Sequence, residues 1–207
     1  MKLTLAQIGA LLGSSQAAMM NTWTGGPTFD ITYDSAAENF QFDVTVPAGM
    51  WFALGFGEGM MNVDMVSFTG EGAGAVTDLY STAETIPTTD TTQDFTFTVD
   101  SATDPTMYVY SATRPKDTGD SAQDTAFMCN TVKEFYWAGN DASGTMTVMH
   151  NKLDEFYFSL DEACAVTLST TNPSGDDSDS DEDDGAVTIG KAAAVTAAAA
   201  TAAFFAL

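Results

Sequence analysis

Histidine, cysteine and basic residues are scarce in this chain. Its 207 residues include one histidine, two cysteines and six lysines or arginines, against 29 aspartates and glutamates, for a net charge of −23. Zinc and copper sites usually need more than one imidazole or thiolate, so a conventional site for either metal is excluded. A chain this acidic repels nucleic acid and fits a cationic partner. Calcium is only weakly indicated, because no EF-hand-like ligand spacing is present.

Signatures of common enzymes are also missing. The sequence has no Gly-X-Ser-X-Gly turn, no phosphate-binding loop and no His-Glu-X-X-His. No serine stands in a nucleophile turn that would let the single His150 build a triad. We therefore expect a non-catalytic protein, and keep an enzyme with an unfamiliar catalytic arrangement as the third hypothesis.

The N-terminus has the layout of a secretory signal peptide. Lys2 supplies a positive charge, residues 3–12 are apolar, and Ser15-Gln16-Ala17 places small residues before a cleavage site after Ala17. The apolar run is too short to span a bilayer as a helix. The alternative is a frayed N-terminal helix. We expect residues 1–17 to be removed during secretion.

The C-terminus carries a second processing signal. Residues 174–191 form an acidic linker and spacer, and residues 192–207 form a weakly apolar tail. This order is typical of a GPI-anchor signal, which predicts attachment to the outer face of the plasma membrane or to the cell wall. The alternative is a membrane span over residues 186–207, against which Lys191 argues. Candidate attachment residues are Ser178, Ser180, Asp184 and Gly185.

The body of the chain, residues 18–173, is predicted to be one all-β domain. Residues 39–46 alternate apolar and polar side chains, as in a strand with one buried face, and no segment keeps a helical period. About ten to eleven short strands separated by turn residues predict an antiparallel β-sandwich. The predicted strands cover residues 28–33, 39–46, 50–56, 63–68, 75–80, 94–99, 107–112, 132–138, 145–149, 156–160 and 165–168.

Cys129 and Cys164 are the only cysteines. In a secreted chain we expect them to form one disulfide. Closing a loop of this length stabilises the fold by about 3–4 kcal/mol in the chain-entropy model. The alternative, a pair of metal ligands, lacks further cysteine or histidine partners.

A haem needs fewer ligands from the protein than a zinc or copper site does. An electron-transfer haem needs two axial ligands, and imidazole with thioether is one such pair. His150 follows a predicted strand, and Met60 and Met61 follow the glycine-rich turn at residues 55–59. Methionine is also a common core residue, so these residues alone leave open whether a haem is bound.

Several motifs in order resemble those of DOMON domains, the dopamine β-monooxygenase N-terminal type. The stretch Trp51-Phe-Ala-Leu-Gly-Phe-Gly-Glu-Gly-Met60-Met-Asn-Val-Asp64 is similar to the family's central motif, and Arg114-Pro-Lys-Asp-Thr-Gly-Asp120 to a later one. The resemblance implies an immunoglobulin-like β-sandwich. Within the family, the chain is similar to the haem-binding cytochrome branch, to which the cytochrome domain of cellobiose dehydrogenase belongs.

This resemblance implies a ligand set for haem b. It assigns Met60 and His150 to the iron, with Met61 as the alternative to Met60; the four-residue step from Met60 to Asp64 favours Met60. It makes Arg114 a candidate partner of the haem propionates. Attachment would be non-covalent, because no Cys-X-X-Cys-His occurs. The residues expected to line the haem slot are Trp51, Phe56 and Tyr80.

The function that the resemblance implies is one-electron transfer by a cell-surface b-type cytochrome domain. We expect the redox partner to be a separate protein or a small-molecule electron donor or acceptor, because no other redox domain accompanies this one in the sequence. The alternative is a haem-free surface module that binds carbohydrate or protein, as other DOMON domains do.

Overall fold

The structure is a computed structural model that describes residues 19–101 and 103–173. The predicted signal peptide, acidic linker with spacer and C-terminal tail lie outside the described residues. All regular structure in the described part of the chain is β-strand, which confirms the all-β class. The strands are β1 Met20–Asn21, β2 Thr28–Asp34, β3 Asn39–Pro47, β4 Trp51–Gly55, β5 Val63–Thr69, β6 Ala75–Ser81, β7 Thr88–Thr89, β8 Thr96–Asp100, β9 Met107–Pro115, β10 Thr131–Asn140, β11 Lys152–Leu160 and β12 Val166–Ser169.

The strands form two antiparallel sheets, which confirms the predicted β-sandwich. One sheet has five strands in the order β1-β2-β3-β9-β8, and the other has seven in the order β12-β11-β10-β4-β5-β6-β7. Two of the strands, β1 and β7, are only two residues long, and the sequence did not indicate them. Such short pairings carry too few residues for an alternation to be visible.

One predicted strand is wrong. Residues 145–149 do not pair with any strand and lie in the loop that connects β10 to β11. Side chains take the place of a neighbouring strand there: the Trp51 indole Nε1 donates to the Val148 carbonyl at 3.1 Å, and the Asn140 amide donates to the Met149 carbonyl at 2.7 Å. The alternating pattern therefore belongs to a loop that lies over a sheet.

The space between the sheets is filled mainly by aromatic rings. The alternation of β3 buries Phe40, Phe42 and Val44 and leaves Asp43 exposed. Phe135 of the other sheet packs on Phe158 with ring centroids 5.3 Å apart. Aromatic pairs of this kind contribute about 0.5–1.5 kcal/mol each beyond the area they bury. The sandwich core is thus specified by ring packing as well as by apolar burial.

Strand β4 is unusual because all five of its residues are buried. Phe52 and Leu54 face the core between the sheets, whereas Trp51 and Ala53 belong to a second apolar cluster. Since alternate residues of a strand point to opposite faces, this second cluster lies on the outer face of the seven-stranded sheet. A covered outer face is where a ligand pocket can form.

Cys129 and Cys164 form the predicted disulfide. It ties the segment before β10 to the turn between β11 and β12, and it spans 35 positions in sequence. The predicted pairing is therefore confirmed.

Candidate functional site

A pocket of about 380 Å³ lies on the outer face of the seven-stranded sheet. Its floor comes from adjacent strands: Gly55 of β4 pairs with Tyr136 of β10, and Ala138 of β10 pairs with Leu153 of β11. Residues that pair across an antiparallel ladder share one face, which brings these side chains to the same side. Glycine and alanine at two of these positions leave room above the sheet.

Three loops form the walls of the pocket. They are the β4–β5 loop, the loop between β6 and β7, and the β10–β11 loop. The lining residues are Trp51, Gly55, Gly59, Met60, Met65, Glu84, Thr85, Ile86, Pro87, Tyr136, Trp137, Ala138, Met146, Val148, Met149, His150 and Leu153. Most are apolar, which is typical of cofactor and ligand pockets of about 300–1,000 Å³.

Met60 is held in the β4–β5 loop by contacts at both sides. The Phe56 N–H donates to the Asp64 carbonyl at 2.8 Å and closes the base of the loop. The Ser81 hydroxyl donates to the Met60 carbonyl at 2.7 Å. Gly59 has φ +70°, a conformation that glycine adopts without steric cost and that turns the chain into Met60. The loop therefore presents the Met60 thioether at a defined place.

His150 is positioned by the β10–β11 loop. The hydrogen bonds from Trp51 to Val148 and from Asn140 to Met149 fix the two residues before it. On its other side, the Asn151 N–H donates to the Gly139 carbonyl at 3.0 Å. Within residues 19–101 and 103–173, no side chain forms a hydrogen bond or ion pair with the His150 ring. Its ring nitrogens are therefore available to a ligand of the pocket.

The structure brings Met60 and His150 to the same pocket, although they lie ninety positions apart in sequence. Met61 is 63% exposed and does not line the pocket. The thioether of Met60 and the imidazole of His150 are the donor pair of a six-coordinate haem, and the apolar walls suit a flat macrocycle. The residues present therefore fit this cofactor.

Trp51 lines the pocket, but Phe56 and Tyr80 do not. Phe56 packs between the sheets against Phe135 with ring centroids 5.5 Å apart. Tyr80 pairs with Asp64 across the β5–β6 ladder, and therefore points away from the face that carries the pocket. In both cases the face is decided by the alternation of side chains along the strand. The residue types alone do not reveal which of the two faces carries the pocket.

Other pocket residues escaped the sequence analysis. Tyr136 and Ala138 lie two residues apart on β10 and therefore share one face of the sheet. This spacing would have placed them at the pocket once β10 was known to pair with β4. The Tyr136 hydroxyl donates to the Glu134 carboxylate at 2.8 Å, which raises the pKa of Tyr136 to about 12. Tyr136 therefore stays neutral and adds no charge to the pocket. Met65, Met146 and Met149 add further thioethers to the lining.

Arg114 lies elsewhere, on β9 of the five-stranded sheet, with its side chain in the core between the two sheets. Its side chain is completely buried, and Nη2 lies 2.8 Å from Asp64 and 3.3 Å from Asp124. The guanidinium carbon also lies 5.3–5.6 Å from the centres of the three rings Phe56, Phe95 and Phe127. The expected role of Arg114 as a propionate partner does not fit this position, because its charge is enclosed in the core and already paired.

Burial governs the acidity of the carboxylates around Arg114. Desolvation raises the pKa of Asp64 to about 6, against the opposing charge of Arg114 and a hydrogen bond from the Thr125 N–H. Desolvation likewise raises the pKa of Asp78 to about 7, opposed by a hydrogen bond from the Asp94 N–H. These groups are costly to ionise inside the sandwich.

The fold is similar to the folds of two solved cytochrome domains. It is similar to the cytochrome domain of Myriococcum thermophilum cellobiose dehydrogenase, with a TM-score of 0.52 and 14% identity over 72% of this chain and 83% of that one. It is also similar to the cytochrome b domain of pyranose dehydrogenase from Coprinopsis cinerea, with a TM-score of 0.50 and 13% identity over 70% and 83% of the two chains. At these identities the likeness concerns the fold.

The family is defined by sequence. Residues 25–140, more than half of the chain, match the family model of the DOMON domain, and the chain belongs to that family. A comparison with curated proteins gave no match. None of the described segments forms a helix that could span a bilayer.

Proposed function

We propose that this DOMON domain is a cell-surface b-type cytochrome that transfers single electrons through a haem held by Met60 and His150. The observation that carries the proposal is that the only histidine of the chain and Met60 line one apolar pocket. A haem held by both Met60 and His150 would supply reversible one-electron chemistry and would have no ligand position left for a substrate. This favours an electron carrier over an enzyme.

The protein's own residues have three tasks in this proposal. Met60 and His150 would hold the haem from the β4–β5 and β10–β11 loops, and each loop is held by the hydrogen bonds described above. Trp51 forms part of the pocket and also anchors the His150 loop through its indole N–H. The apolar walls lower the polarity around these two residues, and a methionine in place of a second histidine would raise the reduction potential.

The test is the absorption spectrum of the full-length protein secreted by cells supplied with haem. The wild type is expected to show a low-spin b-type spectrum. His150→Ala and Met60→Ala are expected to lose it, because each leaves the iron with one protein ligand. Met61→Ala is the matched control: it removes a neighbouring methionine that does not line the pocket, and should leave the spectrum unchanged. A colourless wild-type protein would overturn the proposal.

A haem-free binding module is the second candidate. The specific observation that favours it is the apolar rim of the pocket, where Ile86 is 61% exposed, Leu153 54% and Met149 78%. Such exposed apolar groups beside a pocket are typical of ligand or partner sites. Binding of a carbohydrate or a protein that survives both His150→Ala and Met60→Ala would support this function.

We further propose that the protein is secreted and anchored at the cell surface through its C-terminal signal. The disulfide between Cys129 and Cys164 supports an oxidising compartment. Release of the protein from intact cells by a phosphatidylinositol-specific phospholipase is the expected result for a GPI anchor. Retention under that treatment would favour the membrane span instead.

A further inference from the structure

Three aspartates converge inside the sandwich, away from the pocket. Asp64 is the second residue of β5, Asp78 lies in β6, and Asp124 comes from the segment between β9 and β10. One carboxylate oxygen of each lies within 4.8 Å of the others. Asp78 is 0% exposed and Asp64 is 2% exposed, so these groups are shielded from solvent. The convergence is tertiary, because the three positions are far apart in sequence.

Each aspartate has an oxygen that the surrounding protein does not satisfy. Asp64 Oδ2 accepts a hydrogen bond from the Thr125 N–H at 2.7 Å, and Asp78 Oδ2 accepts one from the Asp94 N–H at 3.1 Å. The second oxygens, Asp64 Oδ1 and Asp78 Oδ1, face no hydrogen-bond donor among the described residues, and neither does Asp124 Oδ1, whereas Asp124 Oδ2 lies 3.3 Å from Arg114 Nη2. Buried carboxylate oxygens without a partner are strongly destabilising, which points to a ligand between them.

The charges of the cluster do not balance within the protein. Arg114 pairs with Asp64 and Asp124 but makes no ion pair with Asp78. When all three carboxylates are ionised, one guanidinium leaves two of their charges uncompensated, and burial opposes this ionisation by raising the pKa of Asp64 and Asp78. A cation bound between the carboxylates would offset the cost of burying their charges, which is several kcal/mol per ion, and would favour their ionised form over protonation. One divalent cation would supply the compensating charge.

The donor atoms identify the kind of cation. All are carboxylate oxygens. Ca²⁺ takes 6–8 oxygen ligands at about 2.3–2.6 Å in irregular geometry, so it can bridge oxygens up to 4.8 Å apart. Mg²⁺ requires shorter distances and near-ideal octahedral geometry, and is less suited to this set.

We propose that Asp64, Asp78 and Asp124 bind a Ca²⁺ ion inside the sandwich. The ion joins β5 and β6 to the segment before β10. It also lies behind the Met60 loop, because the Asp64 carbonyl accepts the Phe56 N–H and the Thr125 hydroxyl donates to the Phe56 carbonyl at 3.2 Å. The proposal is independent of haem binding, since none of these carboxylates lines the pocket.

The test is calcium binding by the full-length protein after treatment with a chelator. Calorimetry near neutral pH should show one Ca²⁺ bound per chain, in addition to any weak binding by the acidic linker. Asp78→Asn should lose this Ca²⁺ while keeping the side-chain oxygen that accepts the Asp94 N–H. Asp43→Asn is the matched control, because Asp43 is exposed on the other sheet and should bind Ca²⁺ like the wild type.

Thermal unfolding provides a second measurement that does not depend on how Asp78→Asn folds. Ca²⁺ should raise the unfolding temperature of the wild type above its value in sodium chloride of equal ionic strength. Asp124→Asn should lose that increase, and Asp43→Asn should keep it. Equal unfolding temperatures in the two salts would overturn the proposal. They would mean that protonation, and not a bound cation, neutralises the carboxylates. A larger increase with Mg²⁺ than with Ca²⁺ would overturn the choice of ion.

Discussion

The two sides of the β4–β5 connection differ sharply in chemistry. On the outer side, the loop presents Met60 to a half-open apolar pocket that contains His150. On the inner side, Asp64, which follows the same loop as the second residue of β5, enters a closed cluster with Arg114. This short connection thus places an uncharged thioether donor, Met60, on one face of the sheet and a charged carboxylate donor, Asp64, on the other. The comparison shows that the surroundings of Met60 and Asp64, and not the sequence of the loop alone, decide what each side chain can bind.

The largest expected effect comes from removing the positive charge on the inner side. Arg114→Met replaces the aliphatic part of the arginine with an unbranched side chain of similar shape, but it removes the guanidinium that pairs with Asp64 and Asp124. In chelator, we expect the free energy of unfolding to fall by about 3–5 kcal/mol, because breaking a buried pair leaves uncompensated charge. Urea unfolding measures this.

The matched variant for that experiment lies near the outer pocket. Lys152→Met breaks the half-exposed pair of Lys152 with Asp141, whose atoms are 3.3 Å apart. Exposed pairs contribute only about 0–1 kcal/mol, so this variant should unfold almost like the wild type. Equal losses in the two variants would contradict the contrast between the two sides.

The pH dependence of stability should also come from the inner side. The pKa values of Asp64 and Asp78 rise from 3.8 in the unfolded chain to about 6 and about 7 in the folded one. The folded state therefore binds more protons than the unfolded state between these values. In chelator, stability should be greatest below about pH 4 and should decrease as pH rises to about 7, as far as these two groups are concerned.

The groups that face these two carboxylates are Asp94, Asp124 and Arg114. Asp78→Asn removes one of the titrating groups and should flatten the decrease between pH 4 and 7. Urea unfolding of both proteins across this range makes the comparison. Identical pH profiles for the variant and the wild type would contradict the assignment to Asp78.

The smallest expected effect concerns the outer side. Trp51→Phe keeps an aromatic ring in the pocket but removes the N–H that donates to the Val148 carbonyl. Loss of one such hydrogen bond costs about 1 kcal/mol, confined to the loop before His150. Hydrogen exchange of the amides at residues 145–150 should therefore speed up, while exchange in β3 stays unchanged. An equal increase in both segments would indicate global destabilisation instead.

Most of the fold was predictable because a strand with one buried face alternates apolar and polar residues along the sequence. The alternation at Phe40, Phe42 and Val44 predicts β3 correctly, and the two cysteines predict their disulfide. The same rule fails at residues 145–149, where an alternating segment lies over a sheet and is held by side chains of Trp51 and Asn140. An alternating pattern shows that one side of a segment is buried and the other is exposed. It does not show whether the segment pairs with a neighbouring strand.

The candidate site was predictable only in part. Met60 and His150 are a chemically distinctive pair, and the structure finds them in one pocket. Arg114 and Phe56 were expected there as well, but both face the core. Their positions depend on which face of a strand is turned inward, and a single strand with both faces buried, as β4 is, gives no signal for that choice.

The sequence by itself determined the class of the fold, the acidic character, the disulfide and the residue types that can ligate iron. These follow from local patterns and from chemistry that does not depend on neighbours. Only the tertiary structure decided that the outer face of the seven-stranded sheet carries the pocket, and that Asp64, Asp78 and Asp124 meet around Arg114. The physical reason is that both sites are built from strand pairing and sheet packing, which join residues with no mark of proximity along the chain.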